Sequence, residues 1–172
     1  MDTYDILNKL DALIQSQSIL RHPFYIAWRE GKLTKTQLAT YARVYWPHEA
    51  AFPSYLEASI EKTADPVVRE TLGRNLHEER TRPKPHPELR LDFATSLGQS
   101  RLKVSTSSLH QSAQQIVNTF RRLATSSTLE GVTALYTYEV QQPEVASQKR
   151  DGLRTHYGIN SCLLYTSDAA DE

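Results

Sequence analysis

The chain holds a single cysteine, Cys162, in 172 residues. Without a second thiol it cannot build an internal disulfide framework or a zinc site of several thiolates, which suits a reducing compartment. No apolar run approaches the roughly 20 residues that span a bilayer, so a soluble, cytoplasmic protein with no membrane partner is the expectation. The first residues, MDTYDILNKLDALIQ, lack a basic start, an apolar stretch and a small-residue cleavage site, and are read as carrying no export signal. Charge of one sign is missing too, since 20 Lys and Arg face 20 Asp and Glu. That balance gives no electrostatic reason to expect a nucleic-acid partner. No segment alternates apolar and polar residues in the manner of a strand, and no internal repeat is visible.

What is present has helical period. Ile6, Leu7, Leu10, Leu13 and Ile14 predict a first helix from about Thr3 to Ser16. A short helical stretch over Pro23 to Glu30 stops at Gly31, and Thr34 with Gln37 forms a capping-box signature for a long helix running to about Lys62. Pro47 and Pro53 fall inside that helix and should kink it or break it in two. Asp65 and Pro66 open a helix that ends before Pro83, and a further one runs from Pro87 to Leu97 with Gly98 as its stop. A Ser/Thr-rich connection occupies Ser105 to Ser108. The last two segments span about Leu109 to Thr125 and Leu129 to Tyr157, the second interrupted at Pro143. Seven helical segments with short connections describe an all-α bundle, one domain by length.

From Cys162 the chain reads CLLYTSDAADE, without helical period or likeness to what precedes it. This stretch resembles, residue for residue, the conceptual translation of a transposase adapter used in preparing sequencing libraries. The expectation is therefore a single domain over residues 1–160 followed by a non-natural tail over 161–172. Without Asp168, Asp171 and Glu172 the remainder is mildly basic, still too little to imply nucleic acid.

Three residues stand out as chemistry. Glu79 and His86 are seven apart, and a carboxylate with an imidazole suits iron or manganese. Pro83 and Pro85 forbid an unbroken helix between them, so a turn has to bring His86 back. The plain alternative is a solvated helix end with His86 capping the next helix. Glu139 lies four residues after Leu135, on the apolar stripe of its helix, where a carboxylate needs a partner. That partner is an Arg or Lys in a core ion pair, or a metal.

The segments HPFYIAW, KLTKTQLATYA, EAAFPSYL, NLHEE followed by PHPEL, and GVTALYTYEVQQP resemble the family of the Chlamydia protein associating with death domains (CADD) and its bacterial relatives. The resemblance covers nearly everything up to Gly158. It implies a haem-oxygenase-like helical bundle and a di-iron site, with a mixed iron and manganese pair accepting the same ligands. Glu79, His86 and Glu139 would occupy three of the ligand positions. The others belong to a His-x-x-x-Asp-x-x-x-His helix that this chain does not contain, so the last helices of the bundle are expected to be missing. As written, the chain should then lack half its metal ligands and be inactive and aggregation-prone. His156, in RTHYGI, is read as a surface histidine.

The resemblance further implies that Tyr25 and Lys149 are consumed in forming p-aminobenzoate for folate synthesis, with molecular oxygen and a reductant as partners; the sequence does not decide the oligomeric state, a homodimer being one option. On residue type alone Tyr25 would be a core aromatic and Lys149 a surface lysine, and Tyr41, Tyr45 and Tyr138 are core candidates as well. Other readings within the same fold are enzymes like pyrroloquinoline quinone synthase or thiaminase. The thiaminase reading needs a cysteine nucleophile, and the one cysteine lies in the suspect tail. A non-catalytic module that binds death domains is a further class, for which no exposed apolar stripe argues.

Overall fold

The computed structural model describes residues 3–81 and 84–160. Among them there is no strand. A 3-10 turn, Ile19–Arg21, accompanies nine helices: α1 Thr3–Ser16, α2 Pro23–Arg29, α3 Lys35–Lys62, α4 Pro66–Thr81, α5 His86–Ser96, α6 Arg101–Ser105, α7 Gln111–Ser126, α8 Thr128–Glu139 and α9 Gln142–Tyr157. The fold is all-α, as expected. No helix among the described residues is long and apolar enough to cross a membrane. The stretch read as a foreign tail lies outside the described residues.

The mast of the fold is α3, 28 residues long, or about 42 Å at 1.5 Å per residue. Its start is set by the anticipated capping box: Gln37 N–H donates to Thr34 Oγ1 at 3.2 Å, and Thr34 N–H donates to Gln37 Oε1 at 2.8 Å. The expected break at Pro47 or Pro53 does not occur, and the helix passes through both. Each proline removes one N–H and crowds the preceding turn, at a cost of about 3 kcal/mol. Packing on α4, α5, α7 and α8 surrounds this stretch and offsets the cost.

Two apolar clusters share α3. Its first half, through Leu38 and Ala42, joins Trp28 of α2, Leu91 and Phe93 of α5, Val104 of α6 and Leu153 of α9. Its second half, through Phe52, Tyr55 and Leu56, joins Leu72 of α4, Ala124 of α7 and Leu135 of α8. The middle of α3, Tyr45 to Phe52, sits where the two clusters meet.

Two boundaries differ from the reading of the sequence. Leu102 and Val104 belong to the extra helix α6, because Ser100 caps it by accepting from Lys103 N–H; the connection to α7 covers residues 106–110. The long final segment is two helices, with Glu139 closing α8 and Pro143 in the first turn of α9. Proline there is in its favoured first-turn position rather than in a helix interior.

One close approach fixes α9 against α2. Trp28 Nε1 donates to the Lys149 carbonyl at 3.1 Å, and a Cβ on Gly152 would stand 2.8 Å from Trp28 Cδ1. Only glycine leaves room for the indole, so Gly152 sets the distance between the helix of Tyr25 and the helix of Lys149.

Candidate functional site

The junction of the two clusters encloses a cavity of about 60 Å³ whose lining includes Glu79, His86, Glu139, Glu49, Arg90 and Lys149. Organic ligands take pockets of roughly 300–1,000 Å³. This one has room for ions or a diatomic gas.

Three of its walls are the residues singled out by type. Glu79 is buried in the last turn of α4 and His86 opens α5. The turn between them does carry the imidazole back: His86 Nδ1 lies 2.7 Å from Glu79 Oε1. Glu139 reaches the same cavity from the end of α8. Among the described residues no three of His, Cys, Asp and Glu already close around a common point. Glu79 and His86 are bonded to one another, and Glu139 lines the same chamber from a third helix. Two carboxylates and an imidazole are the donor chemistry that iron accepts.

Reading the sequence did not find the ion pair beside them. Arg90 Nε donates to Glu49 Oε2 at 2.7 Å and Arg90 Nη2 donates to Glu49 Oε1, a bidentate fork with the guanidinium 1% exposed. The guanidinium also lies over Tyr45, 5.1 Å from its centroid, and over Tyr41 at 5.3 Å. Residues 41 apart in sequence carry no spacing signal, and only the packing of α5 on α3 unites them.

Lys149 is not a surface lysine. It is 4% exposed, and its Nζ donates to Tyr41 Oη at 2.7 Å. Nζ lies 5.1 Å from the ring centroid of Tyr25. Tyr41 is the hub, because it also hydrogen-bonds the Tyr25 hydroxyl. Burial pushes the Tyr25 phenol above its ordinary range, and the Tyr41 hydrogen bond offsets part of this. On the cavity side Tyr45 Oη donates to Tyr138 Oη at 2.9 Å, and burial drives both phenols well above theirs. Tyr25, Tyr45 and Tyr138 are therefore neutral. Tyr25 is half-buried and does not line the cavity; Lys149 stands between it and the chamber. His156 is exposed, with its ring nitrogen 3.0 Å from the Arg29 carbonyl, away from this centre.

A buried histidine went unremarked in the sequence. His48 is fully enclosed by aromatic rings, among them Phe120 at 4.9 Å and Tyr138 at 5.1 Å, and neither ring nitrogen has a hydrogen-bond partner among the described residues. Burial lowers its pKa to about 4. Above pH 6.5 it is neutral in both folded and unfolded chains and contributes no pH dependence. As pH falls from 6.5 towards 4, only the unfolded chain takes up the proton, so stability is lost across that window. The expected loss is about 2.5 kcal/mol at pH 4.5 relative to pH 7. Urea unfolding at the two pH values checks this, because His48→Phe should shrink the difference by that amount.

An all-helical bundle with a carboxylate and imidazole chamber defines a class, and comparison with known proteins identifies it. Residues 39–167 match the haem-oxygenase-like family described as iron-containing redox enzyme. The chain belongs to that family, and iron is the cofactor its description carries. Similar proteins include the 4-aminobenzoate synthase of Chlamydia pneumoniae, 41% identical over 88% of this chain and 68% of that protein. The 4-aminobenzoate synthase of Nitrosomonas europaea is 36% identical over 92% of this chain and 69% of its own. That of Chlamydia trachomatis is 37% identical over 91% and 68%.

Proposed function

We propose that the chain forms 4-aminobenzoate from its own side chains, with Tyr25 supplying the ring and Lys149 the nitrogen, as a member of the CADD group of this family. The observation that carries the reading is the pairing of Tyr25 with the buried Lys149, 5.1 Å from ring to amine, beside a chamber of about 60 Å³. No free aromatic substrate fits that chamber. Whatever is oxidised there has to come from its surroundings.

The product's chemistry agrees with this source. 4-Aminobenzoate has a carboxyl group para to an amine, and tyrosine has Cβ para to a hydroxyl. Conversion breaks the Cα–Cβ bond, oxidises Cβ to carboxylate and replaces the phenol oxygen, which leaves as water, by the lysine nitrogen, whose bond to Cε breaks by hydrolysis of the intervening imine to leave an aldehyde on residue 149. Molecular oxygen is the oxidant and an external reductant supplies the remaining electrons. Glu79, His86 and Glu139 would hold the metal, as iron or as an iron and manganese pair; the metal, when bound, supplies oxygen activation. Tyr41 holds the Lys149 amine and the Tyr25 hydroxyl together, while the packing of α2 on α9 keeps the Lys149 amine out of bulk water. Lys149 and the neutral phenols of Tyr45 and Tyr138 form the wall between pair and chamber.

The test is isotopic. Protein made with ring-deuterated tyrosine and side-chain ¹⁵N-lysine, then supplied with iron, oxygen and a reductant, should release 4-aminobenzoate carrying both labels. Unlabelled product would show that the atoms come from elsewhere and overturn the reading.

A further inference from the structure

A second, larger concavity lies on the other side of Tyr25. It has a volume of about 530 Å³ and runs between the end of α1, the 3-10 turn and α2, with Phe24, Tyr25 and Tyr41 in its wall. No Asp or Glu is among its lining residues. Its one permanent cation is Arg21, exposed at the end of the 3-10 turn, and Arg21 makes no ion pair among the described residues. Aromatic walls, an unneutralised guanidinium and the absence of acids are the elements that recognise a flat ring bearing a carboxylate.

We infer that this groove binds a small aromatic carboxylate and is the route by which 4-aminobenzoate leaves, with Arg21 as its carboxylate contact. The inference rests on the proposed function for the identity of the ligand. Tyr25 forms a shared partition: Lys149 lies against its ring from within, and the groove meets it from outside. A ring released from residue 25 thus has the groove before it, whereas the chamber behind Lys149 is far too small to receive it. Arg21 ends the 3-10 turn and Tyr25 lies in the first turn of α2, and both line the groove.

The experiment is a titration of 4-aminobenzoate into the intact chain, followed by isothermal calorimetry and by saturation-transfer NMR. The neutral isostere 4-aminobenzamide serves as comparison. Binding should be at least about tenfold tighter for the carboxylate than for the amide, and Arg21→Gln should remove that preference. Arg21 is exposed, so the variant should keep its fold, which circular dichroism checks; the amide comparison reads the same contact without any variant. No detectable binding, equal affinity for acid and amide, or a preference unchanged in Arg21→Gln would each overturn the groove. The labelling experiment stands apart from this one: doubly labelled product with no Arg21-dependent binding sinks the groove alone. Arg21-dependent binding with unlabelled product upholds the groove and removes Tyr25 and Lys149 as the source of the product.

Discussion

Replacing Glu139 by alanine is expected to lower the iron retained by the chain roughly 100-fold or more in affinity terms. A partner that merely orients a metal ligand is worth about 10–100-fold, and a carboxylate that binds the ion directly should cost at least as much. Glu139 is the sharpest position for this test because it brings a carboxylate to the chamber from α8, a different helix from those that carry Glu79 and His86. The backbone at residue 139 should stay in place, since the neighbouring Tyr138 remains tied to Tyr45. Metal analysis after gel filtration, beside a circular dichroism spectrum of each variant, gives the answer. Glu139→Gln should fall between parent and alanine, retaining an oxygen donor without its charge. Iron content unchanged in Glu139→Ala would remove Glu139 from the ligand set.

Arg90→Ala should destabilise the fold by about 3–5 kcal/mol, because it removes the guanidinium fork that holds the buried Glu49 carboxylate. Domains are stable by roughly 5–15 kcal/mol, so the loss is a large fraction of the total. The size of the effect follows from removing one partner only. Replacing both, as in Glu49→Gln with Arg90→Met, removes the buried charge as well and should recover most of the loss. Urea midpoints of the two single variants and the double one separate the cases. If Arg90→Ala and the double variant lose stability equally, the aliphatic and aromatic contacts of Arg90 matter and the ion pair does not.

The helices were legible because their signals are local. The Thr34 and Gln37 box, the Asp65 cap and the Gly98 stop all act within one turn, and each stands where the sequence put it. Pro47 and Pro53 misled for the converse reason: their cost is local, but what outweighs it is packing by helices far away in sequence. The site divided along the same line. Glu79, His86 and Glu139 could be named by residue type, and they do line one cavity. Tyr25 and Lys149 came from family resemblance and lie side by side. Nothing in the chain marked Arg90 as the partner of Glu49, or Tyr41 as the hub between Tyr25 and Lys149, since both depend on how α5 and α9 meet the rest. His48 was invisible for a further reason: its neutrality is produced by its cage and not by its neighbours in sequence.

The place of Tyr25 in the bundle bears on what becomes of the protein afterwards. It belongs to α2, seven residues long, which packs on α9, while the 28-residue α3 carries both cores. Losing its ring removes a partition and leaves every helix-to-helix seam of the bundle intact. The spent chain should therefore persist as a folded husk rather than collapse, and its clearance would have to be set by turnover of intact protein, with each molecule of product counted against one polypeptide made.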